Sequence, residues 1–384
     1  MQNHTEDNNV PVPPPEIVAT PAALQSLVAR LMQATQVAVD TEANSLHAYQ
    51  EQVCLIQFSI SAGDYVVDAL ALDDLSPLAP FFAAPTIEKI FHAADYDLII
   101  LKRDHQLLCH NLFDTMWAAR ILGWPKVGLG NVLEEHFNIH LNKKFQRYDW
   151  GKRPLDPKAL RYAGLDTHYL RDLRALQAAA LKELGRWEEA QEVFTYLCNH
   201  VPDPQPPDPD EFYWRIKGVR DLPYHEQAML YRLYRWREAA AERLDRPTMK
   251  VMSSRQLVKV AQVQPRTRQA LADAGLTPYQ IRRFGDEILK AVRQGPLSPP
   301  SQPHDHTRPP DEVLERYDVL KAWRKDVAAQ RGVDSDVILP NATLWNLAWH
   351  PPQELDDLED DPAIGPWRCK TYGPQILKLL TRLR

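Results

Sequence analysis

The sequence predicts an α/β domain, a mixed sheet with flanking helices, followed by two small all-α modules. Three observations carry that expectation. Short β-prone runs are confined to the first half of the chain, where they alternate with helical spacing. Proline, 32 of 384 residues, is clustered: four lie in Pro11–Pro15, five in 201–210 and six in 295–310. Proline fixes φ and removes a donor, so these clusters read as a tail and two linkers. The two blocks after the first linker also look like diverged copies of one unit. The resulting organisation is a disordered tail at 1–15, an α/β domain at 16–200, a linker at 201–210, a module at 211–294, a linker at 295–310 and a second module at 311–384.

Taken in order, Gln36–Glu42, Val53–Ile60 and Tyr65–Asp68 are β-prone runs separated by turn-like segments, the pattern of an antiparallel meander. Lys89–Ala93 reads as a strand, Asp97–Asp104 as a helix and His110–Phe113 as a short strand. Asp114–Leu122, Leu129–Phe137 and Pro157–Leu184 read as helical. In the repeated blocks an offset of 87 aligns Trp236-Arg237 with Trp323-Arg324, Leu257 with Leu344 and Pro265 with Pro352. An offset of 88 aligns Phe284-Gly285 with Tyr372-Gly373. Tryptophan at matched positions reads as core.

Charge is divided unevenly. Residues 1–210 carry a net −11, 211–293 a net +8 and 311–384 a net −3 within an overall −6. An acidic block beside a basic one suggests metal chemistry in the first and polyanion contact in the second. No apolar run approaches the roughly 18 residues that span a bilayer, and Met1–Asp7 lacks a signal-peptide pattern, so a cytoplasmic protein without membrane contact is expected. Cys54, Cys109, Cys198 and Cys369 stand far apart with no CxxC pair, which indicates reduced thiols.

Three groups of residues carry chemistry. Strand alternation puts Asp40 and Glu42 on one face at the end of the apolar run Val37-Ala38-Val39, where a hard cation would relieve their repulsion. The bland alternative is a solvated strand end. In His92-Ala93-Ala94-Asp95-Tyr96-Asp97 either aspartate can cap the following helix. Tyr162 and Asp166 are four apart and share a helix face.

Together these residues resemble the DEDD exonuclease superfamily, tyrosine subclass, and within it the ribonuclease D family. The pattern is Asp40-x-Glu42, then His92-Ala93-x-x-x-Asp97, then Tyr162-x-x-x-Asp166. Leu55-Ile56-Gln57, Phe113-Asp114-Thr115 and Asp149-Trp150 with Arg153-Pro154-Leu155 fit the same family, and the repeated blocks resemble its HRDC modules. The resemblance covers the chain from about residue 16 to the end. It implies a ribonuclease H-like 3′-5′ exonuclease domain followed by two HRDC domains. It further implies that Asp40, Glu42, Asp97 and Asp166 hold two divalent cations, Mg²⁺ or Mn²⁺, and that Tyr162 orients the attacking water. Arg161 stands where the histidine subclass has its histidine. The family's spacing from His92 selects Asp97 over Asp95, which is left as a neighbour or cap.

The implied activity is stepwise 3′→5′ hydrolysis of RNA with a free 3′ end, releasing nucleoside 5′-monophosphates, with tRNA precursors as the substrate that kinship suggests. No protein partner is inferable. Phe, Leu or Gln57 side chains near the site are expected to stack on or wedge the terminal base, with Gln57 the named candidate. The basic cluster Lys143, Lys144, Gln146, Arg147, Lys152 and Arg153 precedes the Tyr162 helix, and from it Lys144, Arg147 and Arg153 are expected to bind phosphate. In the middle module Arg232, Arg235, Arg243, Lys250, Arg255, Lys259, Arg266, Arg268, Arg282 and Arg283 are candidate phosphate contacts, with Tyr231, Tyr234 and Trp236 interleaved. Two rival readings remain: a DNA 3′→5′ exonuclease, and a non-catalytic nucleic-acid-binding scaffold.

Overall fold

The computed structural model describes residues 12–141, 143–203, 209–302 and 308–383. Residues 1–11 of the expected tail, and 204–208 and 303–307 of the two linkers, lie outside the described residues.

The first part of the chain runs β1 (Glu16–Val18), α1 (Pro21–Leu31), β2 (Gln36–Ala43), β3 (Val53–Ile60), β4 (Gly63–Asp68), α2 (Ala79–Ala83), β5 (Glu88–Phe91) and α3 (Asp95–His105). It continues through β6 (Leu112–Asp114), α4 (Thr115–Leu122), α5 (Leu129–Phe137), α6 (Pro157–His168), α7 (Leu170–Glu183) and α8 (Trp187–Asn199). The sheet order is β1-β4-β3-β2-β5-β6. Strands β2, β3 and β4 form the antiparallel meander, whereas β1, β5 and β6 pair in parallel with their neighbours. The mixed sheet is therefore present, and β1, α1, α2 and α8 add to the elements read from sequence.

Alternation sorts the sheet into two faces. On one, Val37, Val39 and Phe58 enter the main core, where Phe58 meets Phe81 edge to face at 5.7 Å. On the other, Leu55 and Val66 pack with Trp150 and with Ala159 and Ala163 of α6. That second face also carries Asp40 and Glu42, which pair across to Gln57 and Leu55 of β3. The segment read as helical from Pro157 to Leu184 breaks at Tyr169 into α6 and α7. Near the break the Thr167 hydroxyl bonds back to the Gly164 carbonyl at 3.3 Å and meets Ser59 at 2.7 Å, a back-bond of the kind that bends helices.

The helical part comprises α9 (Pro209–Trp214), α10 (Tyr224–Arg243), α11 (Thr248–Val251), α12 (Ser254–Val263), α13 (Arg268–Asp273) and α14 (Pro278–Arg293), then α15 (Asp311–Arg331), α16 (Ser335–Ile338), α17 (Asn341–Trp349) and α18 (Pro366–Thr381). The repeat holds at the level of single hydrogen bonds. Buried Arg237 donates to the Met252 carbonyl and buried Arg324 to the Leu339 carbonyl, each 15 residues on. The Trp236 indole donates to Glu287 and that of Trp323 to Gln375, and both rings pack on their modules' cores. Tyr231 and Tyr234 are likewise buried, so these aromatics hold the module together and do not present a stacking platform. Among the basic side chains, Arg235, Arg243 and Arg268 are engaged with Asp210, Glu287 and Asp286. Lys250, Arg255, Lys259, Arg266, Arg282 and Arg283 are exposed.

Two compact units emerge. One holds the described residues up to Ala43, Val53–203 and Arg308 onward; the other holds Asn44–Gln52 with 209–302. In the second unit Tyr49 donates its N–H to Asp245 and its hydroxyl to Glu238 of α10. Within the first unit the last module docks on α8. Arg331 forms a two-point ion pair with fully buried Glu189 at 2.8 and 2.6 Å and donates to the Tyr372 hydroxyl. Glu192 accepts from the Trp367 and Arg368 amides and from the Arg368 guanidinium, so α8 supplies the cap at the start of α18. Gly365 is required there, because a Cβ would lie 2.5 Å from the Glu192 carboxylate.

Candidate active site

The site lies just past the point where β2 and β5 stop pairing. Strand β2 is buried through Val37, Ala38 and Val39 and then delivers Asp40 and Glu42 to the face under α6, while Thr41 turns to the opposite face. Helix α6 starts with Pro157 after the Asp156 cap and brings Tyr162 and Asp166 over the same strand ends. Carboxylate oxygens of Asp40, Glu42 and Asp166 all lie within 4.8 Å of one another. Asp97, in the first turn of α3, is buried and accepts a hydrogen bond from the Thr41 hydroxyl. Asp95 is exposed in the first turn and Ala94 occupies the cap position, so of the two expected roles, neighbour or cap, Asp95 has the first.

Electrostatics mark this cluster. Burial, then the charges of Asp97, Asp166 and Glu42, hold the Asp40 carboxyl well above the usual range. Burial followed by Asp166 and Asp97 pushes Glu42 up to about 9. Asp97 is pushed up to about 7 by burial, against the pull of the Thr41 hydroxyl. Burial also raises Asp166 to about 7, against the hydrogen bond from Tyr162. The Tyr162 phenol itself is raised by burial and by Asp166, Glu42 and Asp40. Buried carboxyls that resist ionisation together, with all-oxygen donors turned to a common point, fit a hard divalent cation.

The cluster opens into a cleft of about 590 Å³ whose lining includes Asp40, Glu42, His92, Met116, Leu129, Asn131, Leu141, Gln146, Tyr162 and Asp166. The aromatic wall behind Tyr162 is continuous: Phe145 lies 5.9 Å from its ring and Trp150 6.4 Å. Sequence reasoning missed the contributions of His92, Met116, Leu129, Asn131 and Leu141. The turn that carries His92 is held by Asp114, which accepts from the Ala93, Ala94, Met116 and Trp117 amides. That grip supports Ala93 at φ 66°, a left-handed conformation unusual for a residue with a Cβ.

Two expected substrate contacts are corrected. Gln57 is fully buried under α6, with neither amide atom hydrogen-bonded, so it cannot touch a terminal base. Its place on β3 opposite Asp40 turned it into the interior of the layer and away from the cleft. Arg153 is spent internally: it grips Asp68 at 2.8 and 2.6 Å and donates to the carbonyls of Trp150, Lys152 and Cys54. Arg153→Ala is expected to cost about 2–3 kcal/mol by leaving Asp68 buried without its cation, read by urea unfolding. An unaltered midpoint with weakened RNA binding would return Arg153 to the substrate. Lys144 and Arg147 are exposed on the segment that carries Phe145 to Tyr162.

Residues 15–177 match the 3′-5′ exonuclease family, and 226–292 and 313–380 each match the HRDC domain. Ribonuclease D of Desulfotalea psychrophila is 30% identical over 280 residues, covering 72% of this chain and 74% of that protein. Ribonuclease D of Nitrobacter hamburgensis is 29% identical over 370 residues, covering 95% and 94%. The structure of Escherichia coli RNase D, an exoribonuclease involved in structured RNA processing, matches with a TM-score of 0.66 and 25% identity over 96% of this chain and 99% of that one. With a 3′-5′ exonuclease domain followed in the sequence by two HRDC domains, the chain belongs to the ribonuclease D family of 3′→5′ exoribonucleases.

Proposed function

We propose that this exoribonuclease trims tRNA precursors and other RNAs with exposed 3′ ends in the cytoplasm. Asp40, Glu42, Asp97 and Asp166 hold two divalent cations, Mg²⁺ or Mn²⁺, and Tyr162 positions the attacking water. The observation that supports this reading best is the meeting of three carboxylates within 4.8 Å, with the Tyr162 phenol hydrogen-bonded to one of them, at the floor of a cleft. Cations bound there supply the Lewis acidity that makes water nucleophilic near neutral pH and stabilises the departing 3′-oxygen.

The chain's own groups do the rest. Tyr162 spends its proton on Asp166, which leaves the phenol oxygen as an acceptor for water. Apolar Met116, Leu129 and Leu141 flank the terminal base, while Lys144 and Arg147 meet the backbone on its way in. The exposed basic side chains of the middle module offer RNA phosphates a contact of their own. Digestion of a 3′-extended tRNA, matched single-stranded RNA and matched DNA with Mg²⁺, Mn²⁺ or chelator tests the assignment. Nucleoside 5′-monophosphates from the RNAs alone, lost with chelator, are expected; equal trimming of DNA would favour the rival reading. Tyr162→Phe is expected to lower kcat by about 10²-fold with little change in cation affinity by calorimetry. Undiminished kcat would remove its role.

The raised carboxyls make the metal-free protein pH-sensitive. In the unfolded chain these groups ionise near pH 4, in the folded chain only at about 7 for Asp97 and Asp166 and about 9 for Glu42. Between those limits the folded state binds more protons, so stability falls as pH rises through the window. Melting temperatures in chelator should decline from about pH 5 to about pH 9, and added cation should flatten the decline. A melting temperature that climbs through the window would contradict the buried cluster.

A further inference from the structure

Among the polar groups of the cleft lining that neither the cation site nor the water position uses, which include Asn131 and Gln146, the imidazole of His92 is held by a hydrogen bond. Its tautomer follows from the hydrogen bonds around it. The Thr115 hydroxyl has a single proton and lies 2.9 Å from the Phe91 carbonyl, which can only accept, so the proton is spent there. Thr115 Oγ1 also lies 2.9 Å from His92 Nδ1. With its proton committed, that oxygen can only accept, so Nδ1 carries the ring proton. Burial pushes the imidazole down to about 4, so the ring is neutral near pH 7. Nε2 is then a bare lone pair without a hydrogen-bond partner among the described residues, on a ring that lines the cleft.

Position indicates which donor Nε2 meets. Strands β2 and β5 pair in parallel, with Ala38 beside Ile90. Asp40 and His92 each lie two residues further on, Asp40 still within β2 opposite Gln57 and His92 just past the end of β5, and both line the cleft. The carboxylates face the scissile phosphate, and the group bonded directly to that phosphate is the sugar of the 3′-terminal nucleotide; the base reaches on toward Met116, Leu129 and Leu141. An acceptor next to Asp40 therefore sits at the depth of the sugar, where the donors are the 2′- and 3′-hydroxyls. Thr115 and the Asp114 grip on Ala93 and Ala94 fix the ring in place.

We propose that His92 is a specificity-determining residue whose Nε2 accepts a hydrogen bond from the 2′-hydroxyl of the 3′-terminal nucleotide, so that this chain itself selects ribose over deoxyribose. The inference rests on the exonuclease reading above. A 2′-deoxy terminus offers no proton at that place and leaves Nε2 buried and unpaired, the situation in which hydroxyl-reading sites discriminate.

The test uses the full-length protein and RNA oligonucleotides that differ only in the last sugar: ribose, 2′-deoxyribose or 3′-deoxyribose. Wild type should prefer the ribose over the 2′-deoxy terminus by about tenfold in kcat/KM, the factor that goes with about 1.4 kcal/mol. His92→Ala should bring that ratio near one, and His92→Gln, whose amide oxygen can occupy the place of Nε2, should restore part of it. Calorimetry of adenosine and 2′-deoxyadenosine 5′-monophosphate should show the same loss of preference in His92→Ala. A purely structural role would lower cleavage of all three substrates by one factor and leave the ratio as in wild type, which would overturn the proposal. So would a His92-dependent preference that follows the 3′-hydroxyl. An Asp40→Asn control that still cleaves would instead refute the exonuclease site, which separates the two failures.

Discussion

Asp40→Asn is expected to lower RNA cleavage by about 10³-fold or more while raising the melting temperature of the metal-free protein. Both effects have one cause. Asp40 is enclosed with Asp97, Asp166 and Glu42, and burial with their charges already holds its proton on well above the ordinary range. An amide of the same shape needs no proton taken up on folding, so the fold without cations is relieved of that cost. It also removes a charged oxygen donor and several kcal/mol of cation-dependent transition-state stabilisation, which converts to the stated factor in rate. Single-turnover digestion, chelator melts and cation calorimetry read the three consequences. A variant that cleaves like wild type would refute the site, and one destabilised without cations would refute the electrostatic account of it.

Arg331→Met is expected to destabilise the first unit by about 3–5 kcal/mol, the usual cost of stranding one member of a buried ion pair. Glu189 has no exposure to solvent and both its oxygens are held by Arg331, so the methionine leaves a buried carboxylate without its hydrogen-bonded cation, with Arg186 the nearby charge that remains. Glu189→Leu alone should also be costly, since it strands the guanidinium beside Tyr372. The double replacement should recover most of the loss, because an apolar pair of similar volume removes both desolvation terms. Urea unfolding of the four proteins closes the cycle. Additive losses would show that the two side chains contribute independently.

The sequence made strands β2, β3 and β4 legible because each is a short apolar run next to turn residues. It made the repeat legible because Trp236-Arg237 and Trp323-Arg324 recur with their spacing intact. The cluster of Asp40, Glu42, Tyr162 and Asp166 was reached through its family pattern, since single carboxylate pairs at these spacings are commonplace. Helix α8 has a helical signal in Trp187, Ala190, Val193, Phe194 and Leu197 that went unread. Glu189 and Glu192 on that helix look like ordinary surface acids, because their partners are 142 and 176 residues away. Gln57 and Arg153 show the same limit from the other side: residue type reports what a side chain can bond, and only the fold reports which partner takes it. His92 was read as a spacing marker, since its tautomer depends on a hydroxyl 23 residues later.

The chain's weave, in which the short insert after the Asp40 strand packs with α10 while α8 is capped onto α18, governs how shortened versions behave. A protein ending near residue 200 would strip Tyr49 of Glu238 and Asp245 and would leave Glu189 and Glu192 on α8 without counter-charges. Poor activity from such a fragment would then report orphaned acids and an untethered insert, and would say little about whether the discarded helices ever touched a transcript. Deleting the tail end while neutralising Glu189 and Glu192 is the fairer dissection.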